Sequence, residues 1–162
     1  MDGDAGILTD SGQVVTLGIG DEVFAVPVES VREILDFAPV THLPYAPPYL
    51  LGLIDVRGQG VPVIDLRIKL GLPAAERTTH TRILVLECII GTCQLALGLL
   101  ADRVYEVTAL DMGAAAASPE IGHAWHSEYI HRIGRRGADF VIVLDLVRLF
   151  ADDDFAGLMS GA

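Results

Sequence analysis

Two histidines in the last third of the chain are the first candidates for chemistry. His123 and His126 are three residues apart beside Trp125, a spacing at which two imidazoles can bind one metal ion if both lie on one helical turn. Additional ligands would have to come from Glu120, Glu128 and His131. No cysteine lies nearby in the sequence to complete a zinc site. We therefore predict no metal site and interpret His123 and His126 as loop residues.

Two aspartates, Asp65 and Asp145, are candidates for an acid/base pair. Each one follows an apolar run and opens a short amphipathic stretch. An aspartate at that position usually accepts hydrogen bonds from the free backbone N–H groups of a helix N-terminus. The chain also lacks the GxSxG, P-loop and HExxH motifs. We therefore interpret both aspartates as helix caps and predict no catalytic residues and no cofactor.

Charged residues within apolar segments are the remaining candidates for function. Arg57 lies at the tip of an expected hairpin, where its guanidinium could bind a carboxylate or backbone carbonyls of a partner. An ordinary exposed turn arginine is the alternative. Arg32 and Glu33 alternate with Val31 and Ile34, which predicts a strand with one apolar and one charged face.

The elements that position these residues are predicted to be short strands joined by turns. Gly20-Asp21-Glu22 and Arg57-Gly58-Gln59-Gly60 separate apolar, β-branched runs and indicate two hairpins. Pro27 predicts a short helical turn. The segment 38–48 contains four prolines and predicts an extended connector. Asp65 to Pro73 has the pattern of a short helix that ends at Gly71.

The order of these elements repeats after about residue 81. The later segments Leu84-Val85-Leu86 with Leu95-Ala96-Leu97, then 102–107, then 140–146 follow the order hairpin, strand, hairpin, short helix. The most similar pair is Val63-Ile64-Asp65-Leu66 and Val143-Leu144-Asp145-Leu146. Residues 112–127 lack strand alternation and are expected to form a crossover loop.

The repeat predicts a mainly β protein with two small cores. Each half supplies about five short strands, enough to close one small barrel, and two such barrels would pack together. We predict a flexible tail over 1–13, one domain over 14–150 made of two intertwined barrel subdomains (approximately 14–80 and 81–150), and an acidic C-terminal tail over 151–162. A few short helices complete the fold.

Composition excludes several classes of protein. The 162 residues are 51% hydrophobic and carry a formal net charge of -11, which opposes binding to nucleic acid and to anionic membranes. Cys88 and Cys93 are too few for a disulfide scaffold and have no CxxC spacing. The acidic N-terminus and the absence of a long unbroken apolar run predict neither a signal peptide nor a membrane span. We therefore expect a cytoplasmic protein.

The chain from about Val14 to Phe150 resembles the CheW family of chemotaxis coupling proteins. The resemblance rests on the order and spacing of several motifs. In the first half these are Val23-Phe24-Ala25-Val26-Pro27-Val28, Val31-Arg32-Glu33-Ile34, Gly52-Leu53-Ile54-Asp55-Val56-Arg57-Gly58 and Val61-Pro62-Val63-Ile64-Asp65-Leu66-Arg67. In the second half they are Ala101-Asp102-Arg103-Val104-Tyr105-Glu106-Val107, Glu128-Tyr129-Ile130 and Val143-Leu144-Asp145-Leu146.

The resemblance implies a fold, a function and a set of contact residues. CheW proteins are non-enzymatic adaptors of two five-stranded SH3-like barrels that connect the histidine kinase CheA to the cytoplasmic hairpin tips of chemoreceptors. The receptor tip would bind in the groove between the barrels, at the positions Val28, Val31, Glu33, Gly52, Arg57 and Gly58. We expect Leu99 and Val104 to complete the apolar lining of this groove. The kinase's regulatory domain would pair with this protein barrel to barrel, at residues that stay unassigned, and the protein would be recruited to membrane-associated receptor arrays.

The chain departs from the family pattern at the hairpin tip. The family commonly has asparagine and leucine before the Arg-Gly pair, and this chain has Asp55 and Val56, which adds a negative charge beside the expected contact. Two alternatives remain open at this point. One is a CheW-like adaptor of a chemosensory pathway that controls surface behaviour. The other, from a different class, is a small β-barrel enzyme or ligand-binding domain that uses His123 and His126.

Overall fold

In a computed structural model, residues 12–90, 92–110 and 129–150 form ten strands and two short helices. The structure describes these residues, and all statements below concern them. The first repeat contains β1 (Gln13–Ile19), β2 (Glu22–Pro27), a 3-10 turn (Val28–Ser30), β3 (Val31–Asp36), β4 (Leu50–Val56), β5 (Gln59–Asp65) and α1 (Leu66–Lys69). The second contains β6 (Arg82–Ile90), β7 (Cys93–Ala101), β8 (Arg103–Ala109), β9 (Ile130–Arg136), β10 (Asp139–Leu144) and α2 (Leu146–Phe150).

The predicted local elements are confirmed. The hairpins β1–β2, β4–β5, β6–β7 and β9–β10 are all antiparallel pairs. The 3-10 turn follows Pro27 directly, and the proline-rich segment is a connector without a helix that contains two turns and one isolated bridge. Asp65 caps α1 by accepting a hydrogen bond from the Arg67 N–H at 3.0 Å, and Asp145 accepts one from the Arg148 N–H at 3.1 Å. The interpretation of both aspartates as caps is therefore confirmed.

The strands form two five-stranded sheets that are packed together. Sheet A has the strand order β9-β10-β2-β1-β8, and sheet B has the order β4-β5-β7-β6-β3. Written in this direction, the two sheets have the same order of equivalent strands. Each contains one parallel pair at its centre, β10 with β2 in sheet A and β5 with β7 in sheet B. The expected mainly β fold with two five-stranded units is therefore confirmed.

The division of the chain near residue 80 does not match the sheets. Sheet A combines the first hairpin, β1–β2, with the last three strands of the second repeat. Sheet B combines the second repeat's hairpin, β6–β7, with the last three strands of the first repeat. The two parallel pairs cause this exchange, because each joins a strand from one repeat to a strand from the other. Each sheet therefore contains strands from both of the predicted segments, 14–80 and 81–150.

The largest hydrophobic cluster lies between the two sheets. It contains Leu17 and Phe24 from sheet A and Leu84 and Leu99 from sheet B, all nearly inaccessible to solvent. Two smaller clusters lie on the other faces, around Val141 in sheet A and around Ile83 in sheet B. Both faces of β1 are buried, which explains why this strand is apolar along almost its whole length.

Candidate functional site

The tip of the β4–β5 hairpin holds Arg57 in a fixed and unusual backbone conformation. Arg57 has φ 54 and Gly58 has φ 84, and Val56 pairs with Gln59 across this two-residue turn. Two successive positive φ angles are typical of a type I′ turn, which suits glycine and not arginine. The Asp55 carboxylate accepts a hydrogen bond from the Gly58 N–H at 2.7 Å and stabilises the turn. The charge that departs from the family pattern thus has a local structural role.

The Arg57 guanidinium binds Glu33 with two parallel hydrogen bonds. The Nη1–Oε2 distance is 2.9 Å and the Nη2–Oε1 distance is 3.2 Å. Glu33 lies on β3 and Arg57 follows β4, so the pair joins the two end strands of sheet B. The Arg57 side chain is 74% exposed and that of Glu33 only 19%. The Glu33 carboxylate is therefore mostly covered, and it orients the Arg57 guanidinium, which is exposed to solvent.

Half-buried valines lie at the edge of the core between the sheets. Val28 belongs to the 3-10 turn, Val31 begins β3, and Val104 lies on β8. All three pack against the inter-sheet core while part of each side chain stays accessible. Val31 belongs to sheet B and Val104 to sheet A, so both sheets contribute partly accessible valines to the boundary of this core. This boundary has the composition expected for a groove that accepts apolar side chains.

Two of the eight predicted contact residues, Leu99 and Gly52, are buried. Leu99 is 0% exposed and lies inside the inter-sheet core, so the prediction that it lines the groove is wrong. The alternation of β7 did not reveal this, because both faces of that strand are covered. Gly52 is also buried, with φ 147, and a Cβ atom there would lie 2.1 Å from the Thr41 carbonyl oxygen.

Gly52 supports the site indirectly. Its missing side chain lets the connector approach β4, where Thr41 and Leu53 exchange two backbone hydrogen bonds of 2.8 Å each. This attachment fixes the strand that ends at Arg57. The predicted residues that are at least partly accessible to solvent are Val28, Val31, Glu33, Arg57, Gly58 and Val104.

A second ion pair, which no sequence pattern indicates, lies where the chain passes from one sheet to the other. Arg67 binds Asp102 through Nη2 at 2.7 Å and Nε at 3.2 Å, and Asp102 also accepts the Gly20 N–H at 2.7 Å. Asp102 lies between β7 of sheet B and β8 of sheet A. Burial of the Asp102 carboxyl group opposes its ionisation, but the hydrogen bonds from Arg67 and Gly20 outweigh this effect and lower its pKa. Residues 35 positions apart are linked here, which no local pattern indicates.

A third ion pair in sheet A occupies a position equivalent to that of Glu33 and Arg57. Arg136, at the end of β9, binds Glu106 on β8 at 2.8 Å and so joins the two end strands of sheet A. Arg136 also lies over the Tyr105 ring, at 5.7 Å from the ring centroid. The turn position that matches Arg57 is Gly137, with φ 62. Arg135 and Arg136, at the end of this hairpin, both contact neighbouring side chains.

The structure does not address the histidine site. His123 and His126 lie outside the described residues, as do the predicted crossover at 112–127 and most of both tails. In the described part of the chain, no group of three or more His, Cys, Asp or Glu side chains could hold a metal ion. Neither of the two described α-helices has the length and apolar character needed to cross a membrane.

A comparison with models of protein families identifies the family of this chain. Residues 13–154 match the family model of the CheW-like domain. The chain belongs to the CheW-like domain family. The resemblance noted from its motifs is thereby confirmed over nearly the whole chain.

Comparisons with individual CheW proteins agree with this family. The chain is similar to the chemotaxis protein CheW of Treponema pallidum, with 29% identity over 148 residues that cover 91% of this chain and 87% of the relative. It is also similar to a probable chemotaxis protein CheW of Rhizobium etli, with 30% identity over 88% of this chain and 89% of the relative. Among solved structures, the scaffolding protein TtCheW from Thermoanaerobacter tengcongensis has a TM-score of 0.78 at 24% identity, covering 88% of this chain and 94% of that one. That last likeness establishes the shared fold.

Proposed function

We propose that this protein is a non-enzymatic adaptor that couples the cytoplasmic hairpin tips of chemoreceptors to a CheA-type histidine kinase in chemotaxis signalling. Family membership and the chemotaxis proteins among its relatives support an adaptor role in chemotaxis. The observation that carries the finer proposal is the geometry of Arg57. A solvent-exposed guanidinium is held in place by Glu33 on a turn whose backbone would suit glycine better. Such a residue is retained for what its side chain contacts.

The receptor helix would bind along the apolar edge between the sheets. Its apolar side chains would cover Val28, Val31 and Val104, which now expose part of their surface. This is the helix-in-groove mode of recognition, in which anchors at helical spacing occupy an apolar groove. Arg57 and Glu33 would then contact polar groups at the rim and select the register of the helix.

The kinase would bind a different surface. Because the kinase's regulatory domain resembles this fold, we propose that the two pair through their five-stranded units and leave the inter-sheet groove free for the receptor. The protein would act in the cytoplasm and join receptor arrays at the membrane. Coupling then needs no chemical change in the adaptor, because holding both partners in one assembly lets a shift of the receptor alter the kinase.

Co-sedimentation with receptor signalling fragments and a CheA-type kinase tests this proposal. The wild-type protein should form a ternary complex. In its presence, the activity of the kinase should depend more strongly on the receptor fragment than in its absence. Arg57→Glu and Glu33→Lys should each weaken receptor binding, because each places two like charges at the position of the present pair. The double variant Glu33→Arg/Arg57→Glu restores the ion pair with reversed direction, and it should recover the fold but not the receptor contact.

Arg32→Glu is the matched control. Arg32 lies next to Glu33 on β3, but its side chain pairs with Glu87 on the neighbouring strand at 3.2 Å. This variant makes the same charge change as Arg57→Glu, on the strand that carries Glu33, and should keep receptor binding. Full binding by both charge-reversed single variants, or equal loss in the Arg32 control, would show that the Arg57 surface is not the receptor site.

A further inference from the structure

Lys69 is a charged side chain buried at the junction of the two repeats. It is the last residue of α1 and is only 7% exposed. Its Nζ atom lies 4.0 Å from the centroid of the Tyr49 ring and 5.4 Å from the centroid of the Tyr129 ring. Both distances are within the range in which an ammonium group is attracted to an aromatic face.

Tyr49 and Tyr129 occupy equivalent positions in the two repeats. Tyr49 immediately precedes β4 of sheet B, and Tyr129 immediately precedes β9 of sheet A. The Tyr49 carbonyl accepts the N–H of Asp65 at 2.7 Å, and the Tyr129 carbonyl accepts the N–H of Asp145 at 2.8 Å. Both rings also pack against the core between the sheets. One lysine therefore contacts the same ring position in each repeat.

The position equivalent to Lys69 in the second repeat is Leu149, which is 0% exposed. The two are equivalent because each is four residues beyond its capping aspartate. Leucine fills this position in α2, so the local packing of the short helix does not by itself require a lysine. Burial of an ammonium group opposes folding unless other groups compensate. The lysine in α1 therefore points to a role that an apolar side chain lacks.

We propose that Lys69 is a positioning residue that fixes the orientation of sheet A relative to sheet B by binding the aromatic face of one tyrosine from each repeat. Contacts between apolar side chains are not directional, and they allow two packed sheets to slide or rotate by small amounts. A cation attracted to two ring faces at once specifies a direction for each ring. Of these two contacts, the one with Tyr129 links α1 to sheet A.

The same contact determines the shape of the groove. Val31 of sheet B and Val104 of sheet A pack against the same inter-sheet core as Tyr49 and Tyr129. A rotation of one sheet on the other would change the separation of these two valines. Lys69 would therefore set the width of the groove without contacting anything that binds there. This inference concerns the free protein, and it can be tested without any signalling partner.

Pulsed electron spin resonance on the purified protein measures the orientation of the sheets. Genetically encoded spin labels at Ala138, on the exposed tip of the sheet A hairpin, and at Gln59, in sheet B, leave the native cysteines unchanged. The wild-type protein should show one narrow distance distribution. Lys69→Met keeps the length of the side chain and removes its charge, and it should broaden this distribution while the circular dichroism spectrum stays that of the folded protein.

Substitutions at Tyr129 provide the matched pair. Tyr129→Phe keeps the aromatic face and should keep the narrow distribution, whereas Tyr129→Leu removes the face and should broaden it as Lys69→Met does. If Lys69→Met fails to fold, the comparison of the two Tyr129 variants decides the question alone. A wild-type distribution in Lys69→Met, or equal broadening in both Tyr129 variants, would overturn the proposal. Because no partner is present, neither result depends on the proposed adaptor function.

Discussion

Replacing Arg57 with glycine should separate the stability of this protein from its binding function. Arg57 has φ 54, in the left-handed region that glycine adopts freely. Its side chain contacts Glu33 and is otherwise open to solvent. Arg57→Gly therefore removes the strained backbone conformation and the exposed guanidinium in one step. We predict that the variant folds normally and binds the receptor fragment poorly.

The expected change in stability is the sum of small opposing effects. A non-glycine residue in the left-handed region costs roughly 1–2 kcal/mol, which the glycine variant recovers. An exposed ion pair contributes about 0.2–1 kcal/mol, which the variant loses, and the mostly covered Glu33 carboxylate is left without its arginine. Glycine also gains freedom in the unfolded chain, which costs about 0.5–1 kcal/mol. The free energy of unfolding should therefore stay within about 1 kcal/mol of the wild-type value.

Urea unfolding and a binding titration with the receptor fragment test the two halves of this prediction. The receptor affinity should fall by roughly tenfold or more, as for loss of an arginine anchor at an interface. Gly137→Ala calibrates the backbone cost, because Gly137 is the equivalent turn residue, has φ 62, and has open space around an added Cβ atom. That variant should destabilise the protein by about 1 kcal/mol and leave receptor binding unchanged.

Two results would refute this reasoning. Unchanged receptor affinity in Arg57→Gly would mean that the strained arginine is not kept for binding. A loss of stability much larger than 1 kcal/mol would mean that the Arg57–Glu33 pair is mainly a structural link between the end strands of sheet B. In that case the turn conformation would be a consequence of the ion pair and would carry no information about a partner.

Three further predictions concern the supports of the site. Gly52→Ala should destabilise the fold by about 3 kcal/mol or more in urea unfolding, because its Cβ atom would meet the Thr41 carbonyl oxygen at 2.1 Å on a backbone with positive φ. Asp55→Ala should cost about 1 kcal/mol through loss of the hydrogen bond to the turn, whereas Asp55→Asn should keep it, and equal losses would contradict this role. Asp102 has a lowered pKa in the folded state, so its stabilisation is present above its unfolded pKa and is lost as the pH falls through the folded value. The stability difference between the wild type and Asp102→Asn should therefore shrink on acidification, and a difference independent of pH would refute the assignment.

Local features of the fold could be predicted because their causes are local. Gly58 and the apolar runs around it determine a two-residue hairpin through the turn geometry alone. The capping role of Asp65 follows from its place between a strand and a helix start. The internal repeat was also visible, since equivalent elements keep equivalent residue types. These signals predicted the strands, the caps and the order of elements.

Long-range features could not be predicted because nothing in a local pattern specifies a partner 35 or more residues away. The exchange of hairpins between repeats arises from pairs such as Ile142 with Phe24, and many other pairings have equally apolar strands. Leu99 looked like a groove residue because strand alternation predicts only two faces and not what covers each of them. The link between Arg67 and Asp102 depends on the same unpredicted contact of the sheets.

The two repeats differ at the positions for which we propose a role beyond folding. They share the capping aspartates and the tyrosine carbonyls that accept the N–H groups of those aspartates, and these features support the fold of each repeat. Where the repeats differ, one side has the residue that suits the backbone or the core, Gly137 or Leu149, and the other has a charged residue that does not, Arg57 or Lys69. Both charged residues belong to the first repeat, which also contains Val28 and Val31. A fold built from two similar units can thus support an asymmetric groove, because the first repeat has charged residues at positions where the second has glycine and leucine.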